Sequence, residues 1–201
     1  MKIAILGSGQ VGPALARGYA SHGHDVRIGT RKTEVDGLPV GAPEEVVADA
    51  DLVVLAVAGR AAVELTASLA HLLDGKVLVD ATNPIDASSG TPRLFVGGHD
   101  SLGEQVQKAA PGARVVKAYN TVGNALMVDP QLDGGPPTMF IAGNDEAAKA
   151  TVVRRLEDPG REVADLGGIE ASRWREPRCM AWVAYGARTG TWGHAFKLLR
   201  S

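Results

Sequence analysis

The chain has 201 residues, 45% apolar and 22% charged, which suffices for one domain with its own hydrophobic core and is too apolar for a disordered chain. Its 21 Lys and Arg against 23 Asp and Glu leave a net charge of −2, so no basic field exists to draw nucleic acid or an acidic membrane. A lone cysteine, Cys179, excludes an intrachain disulfide and is expected to be a buried, inert thiol. No apolar run approaches the ~20 residues of a membrane span, and the expected location is the cytoplasm.

Along the chain, short runs rich in Val, Ile and Leu alternate with stretches of helical spacing, the pattern of strands joined by crossover helices. Strands are predicted near Lys2–Leu6, Asp25–Gly29, Leu52–Val57, Lys76–Asp80, Arg114–Ala118, Thr138–Ala142 and Glu162–Leu166. Helices are predicted after Gly12, where Val11, Leu15, Ala16 and Tyr19 share a face, and over Pro43–Ala50, Arg60–Leu73, Ser101–Ala109 and Asp145–Leu156. Near-unbroken apolar strands such as Val53-Val54-Leu55-Ala56-Val57 imply helices on both faces. The expected fold is a doubly wound, mainly parallel α/β sheet, a Rossmann nucleotide-binding domain over residues 1–201, with residues 168–201 as a short helical extension. Gly90-Thr91-Pro92 and Asp133 to Pro137 read as loops inside that domain.

The first strand runs into Gly7-Ser8-Gly9-Gln10-Val11-Gly12 and then a helix, the strand–GxGxxG–helix context of a dinucleotide site. The first glycine serves the turn, the second admits a pyrophosphate to the backbone, and the third lets helix and strand pack closely. A glycine-rich turn that binds nothing is the bland alternative. NAD sites place an acid at the end of the second strand, ~20 residues on, to hold the ribose 2′-hydroxyl. Here that place reads Thr30-Arg31-Lys32, a hydroxyl and two cations suited to a 2′-phosphate, so NADP(H) is expected over NAD(H) unless the pair is merely solvated.

These residues, with Leu55-Ala56-Val57, Asp80-Ala81-Thr82-Asn83-Pro84, Lys117-Ala118-Tyr119-Asn120-Thr121, Gly143-Asn144-Asp145 and Phe196-Lys197-Leu198-Leu199, give the chain a resemblance to the coenzyme F420-dependent (deazaflavin-dependent) NADP oxidoreductases, relatives of the pyrroline-5-carboxylate reductase nucleotide domain. The resemblance implies that Ser8, Thr30 and Arg31 meet the 2′-phosphate. It also implies that Ala56, Val57 and Ala58 line the cofactor and that Asn83 and Pro84 lie on the nicotinamide side. It implies hydride transfer with a small-molecule acceptor, coenzyme F420 or a flavin, as in metalloreductase domains of the same fold. The chain departs from the family in the short loop Gly7-Ser8-Gly9 and in Ala58-Gly59 where proline is common, so the acceptor stays open.

Asn83, Asn120 and Thr121 follow strands whose carboxyl ends face the ligand crevice, and they are the catalytic candidates, able to orient a ring but not to shuttle protons. Asp80 and Lys117 are expected inside their strands. Neither the five histidines nor Cys179 has metal-ligand spacing, and no GxSxG elbow occurs. Arg173-Trp174-Arg175 could meet an acceptor, although Trp174 is more often a packing residue. Trp182, Tyr185 and Trp192 make the C-terminal segment too apolar for water, so it is expected to pack on the body or in a homodimer. The rival to an enzyme is a nucleotide-sensing module without turnover, which a crevice filled by Asn83, Asn120 and Trp174 would favour.

Overall fold

The computed structural model describes residues 1–157 and 162–200. In chain order the elements are β1 (Lys2–Leu6), α1 (Val11–Ser21), β2 (Asp25–Gly29), β3 (Val40–Gly41), α2 (Pro43–Asp49), β4 (Leu52–Leu55), α3 (Gly59–Ser68), α4 (Ala70–Leu73) and β5 (Val77–Asp80). They continue with β6 (Ile85–Asp86), β7 (Arg93–Leu94), α5 (Leu102–Ala109), β8 (Arg114–Lys117), β9 (Met139–Gly143), α6 (Glu146–Glu157), β10 (Val163–Asp165) and α7 (Ser172–Thr189). Eight strands form one sheet in the order β10-β9-β8-β5-β4-β1-β2-β3, and β6 with β7 makes a separate hairpin. Strand pairs in the sheet are parallel except β8–β9. From β1 the chain winds outward in both directions, to β2 on one side and β4 on the other. The carboxyl end of β1 is therefore the topological switch point where such sheets bind ligands.

Successive residues of each strand point to opposite faces, and the sheet has a core on both. Ile3, Ile5, Val54, Val79, Val116 and Ile141 pack with α1 and α6 through Leu15, Tyr19 and Val152. Their neighbours Ala4, Leu6, Val53, Leu55, Leu78 and Val115 pack with α2 to α5 through Val47, Leu69, Leu73 and Leu102. This two-sided burial is why β4 and β5 carry no exposed position.

All seven expected strands are present, and the differences are local. β3, β6 and β7 are two residues each, too short to show a period of two. The helix expected over Arg60–Leu73 breaks at Leu69, whose backbone leaves the helical region at φ −100°, ψ 3°, and both Leu69 and Leu73 sink into the core. The extension expected over residues 168–201 is helical only through α7, which ends at the left-handed Gly190; its last residue, 201, lies outside the described residues. Beyond Gly190 the chain doubles back. Trp192 packs tilted against Trp182 with ring centroids 5.1 Å apart, the Trp182 indole donates to the His194 carbonyl, and Thr138 receives the tail by donating to Phe196 and accepting from Leu198.

A buried charge cluster joins α7 to the sheet. Lys117 has no solvent exposure; its ammonium donates to Asp80, its cross-strand partner, at 2.9 Å and to Glu176 of α7 at 2.8 Å. Glu176 also accepts from the first amides of α5, Leu102 and Gly103, at 3.0 and 2.9 Å. Those amides lack partners inside the helix, so one carboxylate caps a helix and neutralises a buried ammonium. The neighbouring Cys179 is buried, and burial pushes its thiol up to about 11. Removing one member of a buried ion pair typically costs about 3–5 kcal/mol. Glu176→Ala should therefore lower the unfolding free energy by at least that range in urea titration, since Lys117 and the α5 amides lose a partner together.

Candidate functional site

At the switch point the loop after β1 does what its glycines require. Gly7 sits at φ +123°, and a β-carbon there would stand 2.4 Å from the Ala56 carbonyl oxygen; one at Gly12 would stand 1.9 Å from the Gly7 oxygen. Gly9 differs: a β-carbon there would meet nothing within 4 Å, so the loop holds its backbone against open space. The α1 N-terminus beside it has no side-chain cap from Gln10 and no acid in its first turn. Its free amides and partial positive charge are left for a ligand anion.

On the β2 side of the loop a cleft of about 490 Å³ is lined by Gly7, Ser8, Thr30, Arg31, Ala56, Val57 and Ala58, together with Glu64 and Leu65 of α3. Its hydroxyls form a directed chain: the Lys32 amide donates to Thr30 Oγ1 at 3.2 Å, and Thr30 donates to Ser8 Oγ at 3.0 Å. Ser8 keeps its own proton to donate to an anion, with the Arg31 guanidinium in the same cleft and no carboxylate at the end of β2. Lys32 lines a larger cleft of about 1140 Å³ over α1, with Gln10, Arg17, Trp182 and Trp192, which shares Ser8 and Gly9 with the first.

On the other side of the loop, Val11, Ala56, Val57, Ala58, Ala81, Thr82 and Asn83 surround a slot of about 250 Å³. Pro84 is buried behind it, its carbonyl accepting from Phe95. The structure corrects the expectation that Asn120 and Thr121 face this slot: they are 2% and 4% exposed and do not line it. Tyr119, held at a left-handed φ of 63°, ends β8 with a tight turn that carries both residues inward. Asn120 meets the slot through Asn83, donating to Asn83 Oδ1 at 3.1 Å, while Asn83 donates to the Asn120 carbonyl at 2.8 Å. Behind Asn120 stands Arg175 of α7, fully buried, which donates to Asn120 Oδ1 at 2.7 Å and to the Lys117 carbonyl. Complete burial pushes its guanidinium down to about 9, with Asp80 acting in the opposite direction, so it remains charged at neutral pH.

Thr82 escaped the sequence reading. Its hydroxyl and amide both donate to Asp80 Oδ1, at 2.6 and 2.9 Å, so the hydroxyl oxygen has only lone pairs left. An Asp two residues before a Thr at a strand end was the available signal. Arg173 is engaged with Glu104, holding that carboxyl below its usual range, and Trp174 is 67% exposed and lines none of these clefts. The histidines lie elsewhere: His22 on Asp129, His24 near the Tyr19 ring, His194 against Trp182 and Tyr185, and His71 and His99 on the surface. Among the described residues no group of three or more His, Cys, Asp or Glu could hold a metal ion, and no helix is long and apolar enough to cross a membrane.

The glycine loop, the hydroxyl chain and the slot thus lie together at the carboxyl end of β1, and the chain is similar to several known proteins. The family model for NADP oxidoreductase, coenzyme F420-dependent, matches residues 2–84. A solved structure from Arthrobacter sp. FB24, assigned as an F420-dependent NADP-reductase, is 41% identical and superposes with a TM-score of 0.93 over 100% of both chains. The F420-dependent NADP reductase of Methanothermobacter marburgensis is 29% identical over 198 residues, 86% of this chain and 87% of that one. Metalloreductase STEAP3 of Rattus norvegicus is 31% identical over 179 residues, and the chain spans only 35% of its length. The chain belongs to the family of coenzyme F420-dependent NADP oxidoreductases.

Proposed function

We propose that this NADP-dependent oxidoreductase moves a hydride between NADP(H) and a planar deazaflavin- or flavin-like acceptor. The observation that carries the reading is the slot beside Asn83. It adjoins the phosphate loop through Val11 and contains no ionisable side chain among its lining residues. Bound NADPH would supply two electrons and one proton as hydride, and the proton that completes reduction of a ring acceptor can come from water. The chain's part is to bind and orient. The α1 amides and Gly9 receive the pyrophosphate; Arg31 and Ser8, whose hydroxyl Thr30 orients, hold the 2′-phosphate; Asn83 and Thr82 present a fixed donor and a fixed acceptor beside the ring. Catalysis then rests on holding two rings at reacting distance rather than on proton transfer. The relatives named as F420-dependent NADP reductases favour a deazaflavin as the acceptor.

A module that senses the nucleotide without turnover would need the slot closed. The open slot and the outlying Trp174 support turnover instead. Trp174 and Tyr185, both exposed on α7, are where a second copy of the chain would pack in a homodimer.

Anaerobic mixing with NADPH and a panel of deazaflavin, flavin, quinone and simple ketone acceptors should show oxidation of the reduced nicotinamide band with the ring acceptors and little with ketones. The rate should stay nearly flat between about pH 6 and pH 8, where a histidine acid would titrate. A limb near neutrality that disappears when one histidine is replaced would assign a different reaction class. Arg31→Ala should weaken NADPH binding roughly tenfold or more, the worth of one charge-assisted hydrogen bond, and leave NADH nearly unchanged in titration calorimetry. Equal losses for both nucleotides would remove the 2′-phosphate assignment. Gly9→Val places its side chain in open space, so the variant should fold with normal stability yet gain no thermal stabilisation from millimolar NADPH.

A further inference from the structure

Arg175 grips Asn120 with its guanidinium and with its own backbone carbonyl, and through Asn120 it reaches Asn83 at the slot. A guanidinium cannot accept a hydrogen bond, so the atom of Asn120 that faces it at 2.7 Å must be the carbonyl oxygen. The Asn120 nitrogen then turns the other way, to the Arg175 carbonyl at 3.2 Å and to Asn83 at 3.1 Å. A nitrogen facing Asn83 demands an oxygen there, and the Asn83 nitrogen points at the Asn120 backbone carbonyl at 2.8 Å. Each amide has one chemically sensible sense, because the backbone carbonyls of Arg175 and Asn120 can only accept and the Arg175 guanidinium can only donate. Asn83 has thereby committed one N–H and one lone pair of its oxygen. Its second N–H and second lone pair stay available on a half-buried side chain lining the slot.

We infer that Arg175 is a positioning residue for the nicotinamide: its guanidinium and its own backbone carbonyl clamp the two ends of the Asn120 amide, and Asn120 in turn holds in place the Asn83 amide that the ring's carboxamide meets. This inference rests on the placement of the nicotinamide beside Asn83. Two neighbouring residues of α7 thus divide the work. Glu176 reaches the slot by way of Lys117, Asp80 and Thr82, and Arg175 by way of Asn120 and Asn83. The Glu176 branch also holds the fold together through the α5 cap, whereas the Arg175 branch ends in the Asn120–Asn83 amide pair.

Two variants disturb that clamp in different ways. Arg175→Gln replaces the guanidinium with a shorter, neutral amide, so the charged grip on Asn120 is lost while the backbone acceptors remain. Asn120→Asp keeps a partner for Arg175 and removes the donor to Asn83, which serves if the first variant folds poorly. Binding is read for NADPH and for 2′,5′-ADP, a fragment that carries the 2′-phosphate without the nicotinamide, with Asn83→Ala as a control. Both variants should weaken NADPH by about 3- to 10-fold, the loss of one neutral hydrogen bond, with 2′,5′-ADP unchanged. Arg175→Lys, which keeps a donor, should recover most of the loss. An unaltered ratio of the two affinities in Arg175→Gln and Asn120→Asp, beside an altered ratio in Asn83→Ala, overturns the role of Arg175 alone. An unaltered ratio in Asn83→Ala removes the nicotinamide placement and this inference with it. Equal loss of both ligands in all variants shows a structural role only and likewise overturns it.

Discussion

An ammonium with no access to water must be neutralised where it lies, and the carboxyl edge of this sheet is arranged around that requirement at Lys117. Asp80 supplies one negative charge from the adjacent strand and Glu176 the other from the last helix. Once Asp80 is fixed by Lys117, its second oxygen fixes Thr82; once Glu176 is fixed, α5 begins at Leu102 and α7 lies in one register against it. That register brings Arg175 against Asn120. An apolar side chain at position 117 could hold the sheet about as firmly, because desolvating an ion pair offsets much of its attraction. It would orient none of the polar groups that surround the slot. The cluster is better understood as a jig for the site than as a source of stability.

The geometry of the half of the site proposed for phosphate was legible in sequence because its determinants are local. Gly7, Gly9 and Gly12 act within six residues, and Thr30 to Lys32 follow a strand whose end the apolar pattern marks. Backbone constraints of this kind leave a residue-by-residue trace, since a position that would bring a β-carbon within 2 Å of a carbonyl has one solution. Lys32 shows the limit of that trace: its amide bonds Thr30 in the cluster, while the residue lines the adjoining cleft over α1 rather than the one that Arg31 lines.

The other half was legible only in outline. Asn83 and Asn120 could be placed at strand ends, and Asp80 and Lys117 inside strands. What the pattern does not carry is register, and register alone sets Asp80 opposite Lys117. Nor does it carry the approach of α7, whose Arg175 lies 55 positions beyond Asn120. The turn at Tyr119 has the same character, because a left-handed residue of this type is sustained by surrounding packing rather than by its own preference. Asn120 and Thr121 were expected at the slot because a strand continued in a straight line would have put them there.

The two halves also differ in how much of the chain they draw on. Residues that line the cleft beside β2 all precede Leu69. The polar frame around the slot reaches much further. Without the segment bearing Glu176, Lys117 has half of its countercharge, the opening amides of α5 lack their cap, and Asn120 has nothing to choose its orientation. A chain cut before α7 would therefore keep every residue of the first cleft and lose the frame of the second, so docking of the last helix is what completes the slot.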